Sequence, residues 1–403
     1  MRRMPFILVA LIASLNVTAL AQAPAAKASE TAEDASPWQR LPDMPVPVLA
    51  ADVSIVGARV CVSGGIHQLG SALDQVQTFD LKTLTWLKAV KLNEGRCMHA
   101  QVTLDDRRIL VAGGQTGRVK PIGPGLKAIA SCEVIDVISG ESKTIAPLPR
   151  VVAEPTGHRL ADGRAIIIGG ESAMVYDPKE DKWARGIGLR DPRQAHYSVL
   201  LRDGRIVVIG GVNLTSIELI DVKAGASKML ASELPHFLDD TCAIELPDGR
   251  VWILGGQHSK TGNTTERTWL LDISDPRKSV LTDGPVLGIK KGVGDACVVQ
   301  ADERWAILAG GESEMQGDIE LATARLLDLK EVKVYALPDM RHPHDDAVAV
   351  PFDRGMLMIG GFLESKMEWT FGEAKKTVTV PTAVPVVERI SLPKDPRALA
   401  TAE

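Results

Sequence analysis

The sequence predicts an all-β protein, a seven-bladed β-propeller whose last blade is completed by an N-terminal strand. Three observations carry this. A Gly-Gly doublet recurs seven times, each time after a short apolar or β-branched run: Gly64-Gly65, Gly113-Gly114, Gly169-Gly170, Gly210-Gly211, Gly255-Gly256, Gly310-Gly311 and Gly360-Gly361. Their separations of 49, 56, 41, 45, 55 and 50 residues match the period of a propeller blade of about 50 residues. The two ends of the chain also carry complementary fragments of one blade.

Each unit reads as four strands. The innermost, as in His196–Leu201, runs into a turn such as Arg202-Asp-Gly-Arg205, where Asp-Gly supplies the positive φ of a tight hairpin. The second strand is continuously apolar, as expected of a strand sandwiched between neighbouring blades, and ends at the glycines, where a close backbone approach leaves no room for a Cβ. A third strand ends in an acidic residue at Asp80, Asp136, Asp177, Asp221, Asp272 and Asp328. The fourth carries Trp86 or Trp183, seven residues after Phe79 and Tyr176 in the two best-formed units.

Closure is also legible. Trp38–Pro45 has the character of a fourth strand without its first three, and the last unit stops after a third strand near Val384–Ser391. Joining them makes one blade and leaves no exposed sheet edge. The competing arrangement is a six-bladed ring with one doublet outside it.

Glycine doublet, aromatic residue and a tryptophan seven positions on make the chain resemble the kelch-repeat family, over residues 37–391. The later units are divergent, with Leu219, Leu271 and Leu327 in place of the aromatic. The resemblance implies a propeller, and it extends in fold to the central domain of galactose oxidase.

Outside the repeats, Arg2 and Arg3, an apolar run from Pro5 to Leu15 and Ala19-Leu-Ala21 read as a signal peptide over 1–21, followed by a flexible spacer over 22–36 and ending in a tail over 392–403. A secreted or periplasmic monomer is expected. The formal charge of −5 points away from nucleic acid, and no second apolar run is long enough for membrane insertion after cleavage. Five scattered cysteines, Cys61, Cys97, Cys132, Cys242 and Cys297, read as small core residues rather than a disulfide framework.

Ligands of propellers sit where loops gather at the mouth of the central channel. Fifteen residues before the doublet, the last three units place Asp240, Asp295 and Asp345, with Arg341, His344 and Asp346 beside the last. The second and fourth units have Arg96-x-x-His99 and Arg193-x-x-His196 at that level. Together they predict a polar ligand-binding mouth for a hydroxyl-rich or charged ligand, with calcium the one cation the carboxylates suit and no other cofactor or metal expected. Such buried carboxylates and Arg-x-x-His pairs can equally hydrogen-bond neighbouring blades.

Two functions follow as expectations. The first is an exported binding or scaffold protein that recognises a glycan or protein ligand at the mouth. The second, by resemblance of fold, is a sugar isomerase similar to periplasmic sialic-acid mutarotases, with the aspartates and histidines as acid and base. A copper radical oxidase similar to galactose oxidase would need tyrosine ligands, and only Tyr176, Tyr197 and Tyr335 exist.

Overall fold

A computed structural model describes residues 36–67, 70–119, 125–184, 186–313, 319–371 and 374–400, and of 364–371 and 374–381 only the backbone. The expected signal peptide and nearly all of the spacer lie outside the described residues. Blades are numbered here by their glycine doublets.

The seven inner strands are Asp52–Val56, Ala100–Thr103, Thr156–Arg159, Tyr197–Leu200, Cys242–Glu245, Cys297–Gln300 and Val348–Phe352. Each meets the inner strands of the blades before and after it, the seventh meeting the first, so the ring is closed and seven-fold. Each inner strand pairs antiparallel with an apolar second strand, for example Tyr197 opposite Ile209. Second strands such as Ile206–Ile209 and Val251–Leu254 are buried along their whole length, as burial on both faces requires.

Closure follows the expected route. In blade 7 the order from outside in is Gln39–Arg40, Val387–Ser391, Gly355–Ile359, Val348–Phe352. Gln39 pairs with Arg389 and Arg40 with Glu388, and the N–H groups of Leu41 and Met44 donate to the carbonyls of Val387 and Pro385. Within residues 392–400, Leu392 is buried and Leu399 packs on the core between blades 6 and 7.

Tryptophans lock the outer strands to their neighbours. The Nε1 of Trp86 donates to the carbonyl of Pro42, that of Trp183 to Ala146, and that of Trp38 to Pro338, at 2.8–2.9 Å. Each acceptor lies in the segment arriving from the preceding blade. Trp38 is therefore the third member of the tryptophan set that the sequence showed in two units. Phe79 meets Trp86 edge-on with ring centroids 5.1 Å apart, and Tyr176 packs tilted against Trp183 at 5.2 Å.

After its glycine doublet, blade 7 forms an antiparallel ribbon, Phe362–Phe371 with Ala374–Ala383, in unbroken register from Phe362 opposite Ala383 to Phe371 opposite Ala374. Thr377, Val378, Thr379 and Val380 supply the β-branched residues such a ribbon favours.

Because Trp38 is wholly buried and ties the N-terminal strand to blade 6, Trp38→Ala should cost about 3–5 kcal/mol in denaturant unfolding. Trp86→Ala, at a half-buried site, should cost less.

Candidate functional site

The mouth is built by the turns that lead into the inner strands. In each turn one residue takes a left-handed conformation: Ala50, Met98, Glu154, Ala195, Asp240, Asp295 and Asp346, all with φ of 48–52°. Neighbouring turns are joined by backbone hydrogen bonds, from Met98 N to Ala50 O, Glu154 N to Met98 O, Asp295 N to Asp240 O and Ala50 N to Asp346 O. These seven residues are thus the equivalent positions of the ring, and four are acidic.

This corrects the alignment read from the sequence. Asp346, not Asp345, is the equivalent of Asp240 and Asp295, because the hairpins between the inner and second strands of blades 7 and 1 are one residue shorter than the others, Val348 facing Ile359 and Asp52 facing Ser63 where Tyr197 faces Ile209. Glu154 joins them as the acidic residue of blade 3. Asp345 lies one position behind; it is buried, its Oδ1 accepts from the Asp346 N–H, and its backbone pairs with Phe362 at the root of the ribbon.

Electrostatically the mouth is one-signed. Burial, then the charges of Asp239, Asp346, Glu312 and Glu154, hold the Asp240 carboxyl well above the ordinary carboxylate range. Burial and the neighbouring Asp240, Asp346 and Asp345 do the same to Asp295. Burial pushes Asp346 up to about 6, and burial with Asp239 and Asp346 raises Glu154. Deeper in the channel, burial lifts Asp52 to about 7 although its carboxylate accepts the Gln101 and Val53 N–H groups at 2.6 and 2.7 Å. The Asp239 Oδ1 is buried without a hydrogen-bond partner.

The arginines and histidines expected on the opposite side of the mouth lie elsewhere. Arg96 is wholly buried inside blade 2, donating to the carbonyls of Gly113 and Ser131 and to Glu133 at 2.9 Å. Arg193 does the same in blade 4 with Gly210, Ser216 and Glu218. Both guanidinium groups are wholly buried, their Nη1 and Nη2 donors joining the incoming turn to the second and third strands while each Nε is left without a partner. His99 and His196 are also buried, bonded to Ser63 at 2.7 Å and Thr156 at 3.1 Å; burial, reinforced by Arg96 and Arg193, holds both near 3, so both are neutral.

Blade 7 makes the same joint with histidines. His344 is wholly buried, bonded through Nδ1 to the Gly360 carbonyl at 2.7 Å, and His342 Nδ1 meets Glu388 at 2.5 Å. Arg341 sends Nε to the Trp38 carbonyl, and its N–H to Glu388. Arg341 and His344 thus serve the closure of the ring rather than the mouth. The glutamates were overlooked in the sequence. Glu133, Glu218 and Glu388 share one position, three residues before the end of the third strand, and Gln77 occupies it in blade 1, clamping Val46 through both N–H and carbonyl. The signal was available as this fixed offset from Asp80, Asp136, Asp221 and Ser391.

Among the described residues, no group of three or more histidine, cysteine or acidic side chains is arranged to hold a metal ion. The tyrosines are dispersed: Tyr176 donates to Asp181 in the outer part of blade 3, Tyr197 is on the inner strand of blade 4, and Tyr335 is on the outer strand of blade 6. They do not fit a tyrosine-liganded copper.

No family model matches the chain. Among characterised proteins it is similar to Kelch-like protein 35 of Mus musculus, 28% identical over 242 residues covering 57% of this chain and 39% of that protein. It is also similar to alpha-scruin of Limulus polyphemus, 26% identical over 268 residues covering 59% of this chain and 28% of that one. The chain thus spans well under half the length of both relatives. A solved structure described as a novel fungal alcohol oxidase of the AA5 family, in complex with copper, superposes with a TM-score of 0.66 at 18% identity, covering 91% of this chain and 79% of that one. That likeness shows the fold alone.

Two outcomes follow. Arg193→Ala leaves Glu218 charged in a fully buried site and should cost about 3–5 kcal/mol, while Arg193→Met/Glu218→Gln should recover much of the loss in the same denaturant titration. The raised carboxylates bind protons more tightly folded than unfolded, so they weaken the fold as pH rises through their folded values. Depressed histidines act oppositely, but only below the ordinary value of about 6.5. Between pH 6.5 and 8 the carboxylates dominate, and the thermal midpoint should fall through the Asp52 value of about 7. Asp240→Asn/Asp295→Asn, which removes two of the raised carboxyls, should raise the midpoint at pH 8 by about 2–4 °C.

Proposed function

We propose, from the premise that this chain is a kelch-repeat β-propeller, that it is an exported, non-catalytic binding scaffold that holds a protein ligand by a cationic group at the channel mouth. One observation carries the reading: four ring-equivalent positions, Glu154, Asp240, Asp295 and Asp346, present carboxylates at one end of one channel. Like charges gathered in a partly desolvated ring repel one another, and a lysine or arginine side chain seated among them relieves that repulsion. The surrounding surface suits a protein. Val119, Val151, Val212 and Ile319, among the exposed large apolar side chains, stand on loops of this same face.

A glycan would be held differently, through hydroxyl groups hydrogen-bonded to the same carboxylates. The acid–base alternative, a sugar isomerase, draws on Asp52 and Asp346, whose values of about 7 and 6 suit proton transfer near neutrality. Against it, His99, His196 and His344 are turned into the blades, so no histidine among them pairs with Asp295 or Asp346 in the channel.

Calorimetric titration with a lysine-rich peptide, beside neutral oligosaccharides and a sialic acid, tests the reading. Wild type should bind the peptide, more weakly as salt rises, and Asp240→Asn/Asp295→Asn/Asp346→Asn should lose at least about tenfold in affinity, or 1.4 kcal/mol, while remaining folded. Peptide binding equal in the variant, or sugar binding alone, sinks the cationic reading; catalysed anomer exchange of a free sugar would replace it with the isomerase.

A further inference from the structure

We propose that a cleft on the outer part of blade 3, separate from the channel mouth, is a binding site for a neutral sugar ring. Its volume is about 390 Å³, within the range of small-molecule sites, and Pro149, Arg150, Glu171, Met174, Trp183 and Gly188 line it.

The cleft exists because blade 3 departs from its neighbours in three ways. Its doublet, Gly169-Gly170, lies inside a single strand, Ala165–Asp177, so no hairpin rises there as the ribbons of blades 2, 6 and 7 do. At the position where Gln77, Glu133, Glu218 and Glu388 clamp the incoming segment, blade 3 has Met174, which offers no hydrogen bond to close the gap. Its outer strand runs through Gly186 and Gly188. A Cβ at Gly186 would lie 2.5 Å from the Met174 sulfur, whereas one at Gly188 would meet nothing within 4 Å. Gly188 therefore faces open space that the fold itself does not use.

The walls select the ligand. Trp183 is held in place by its bond to the Ala146 carbonyl and by Tyr176 at 5.2 Å, and it remains half-buried with the rest of its surface in the cleft. A fixed, partly exposed indole offers an apolar face to the C–H face of a pyranose. At the rim Arg150 and Glu171 form an ion pair, with 72% and 60% of their side chains exposed. Together they present the guanidinium donors left over from the pair and the remaining carboxylate lone pairs, their charges cancelling. Hydroxyl groups both donate and accept, so they satisfy both halves of that pair. An anion would meet Glu171 and a cation Arg150, each with a like charge beside its partner.

Saturation-transfer NMR with methyl glucoside, methyl galactoside, N-acetylglucosamine and cellobiose tests this on the full chain. At least one sugar should bind at millimolar concentration. Gly188→Leu, at a lining residue whose Cβ would meet nothing within 4 Å, and Trp183→Ala should each reduce that binding at least tenfold, and Asp240→Asn/Asp295→Asn/Asp346→Asn should leave it unchanged. An unshifted thermal midpoint shows that Gly188→Leu is folded, so its loss of binding reports the cleft. No binding by any of the four sugars, or binding that survives Gly188→Leu, overturns the proposal; binding lost only in the aspartate variant moves the sugar to the mouth.

Discussion

One contact repeats around the ring and sets the position of everything else: the grip of each glycine doublet on the turn of the next blade. The N–H of the second glycine donates to a turn carbonyl, Gly65 to Arg96, Gly114 to Val152, Gly211 to Leu238, Gly256 to Val293, Gly311 to His344 and Gly361 to Val48, at 2.7–3.1 Å. In blade 3, Gly170 pairs with Arg193 as a ladder partner. The first glycine must lack a side chain because the same carbonyl occupies its place; a Cβ on Gly64 would lie 2.2 Å from the Arg96 oxygen, and one on Gly310 2.5 Å from that of His344. The last grip, Gly361 on Val48, closes blade 7 against blade 1.

From this grip the mouth follows. The left-handed residue stands two positions after the gripped carbonyl in every blade, so the doublet of one blade places the mouth residue of the next. The buried joints reinforce it. Arg96, Arg193 and the His342–His344 pair tie the gripped turn to Glu133, Glu218 and Glu388 on the third strand of the same blade. Doublet, turn and third strand are thereby one unit, and rigidity at the mouth is inherited from bonds made well behind it.

What could be read in advance divides along that same line. Blade number, strand order and ring closure were legible because the doublets are local in sequence and repeat. Counting back from the doublet reaches the left-handed residue at Asp240 and Asp295 because the hairpins of those blades have the common length. In blade 7 the same count reaches Asp345 instead of Asp346, because one residue fewer in the hairpin leaves no trace in composition. Arg96 and Arg193 were misread because a buried ion pair joins residues 37 and 25 positions apart, Arg96 to Glu133 and Arg193 to Glu218, and an arginine near a predicted mouth looks the same whether its donors are spent or free.

The fold does not require carboxylates at the mouth. Aspartate tolerates the left-handed conformation better than most residues, which would explain Asp240, Asp295 and Asp346 by backbone preference alone. Yet alanine holds the same conformation at Ala50 and Ala195, methionine at Met98 and glutamate at Glu154, with the same φ to within a few degrees. The ring therefore imposes the conformation through the grip on the preceding carbonyl, whatever residue is present. Four acids in seven equivalent places then add mutual repulsion and desolvation to a turn that folds equally with an uncharged side chain. A cationic group seated at the mouth, as proposed above, would offset that cost by pairing with the carboxylates.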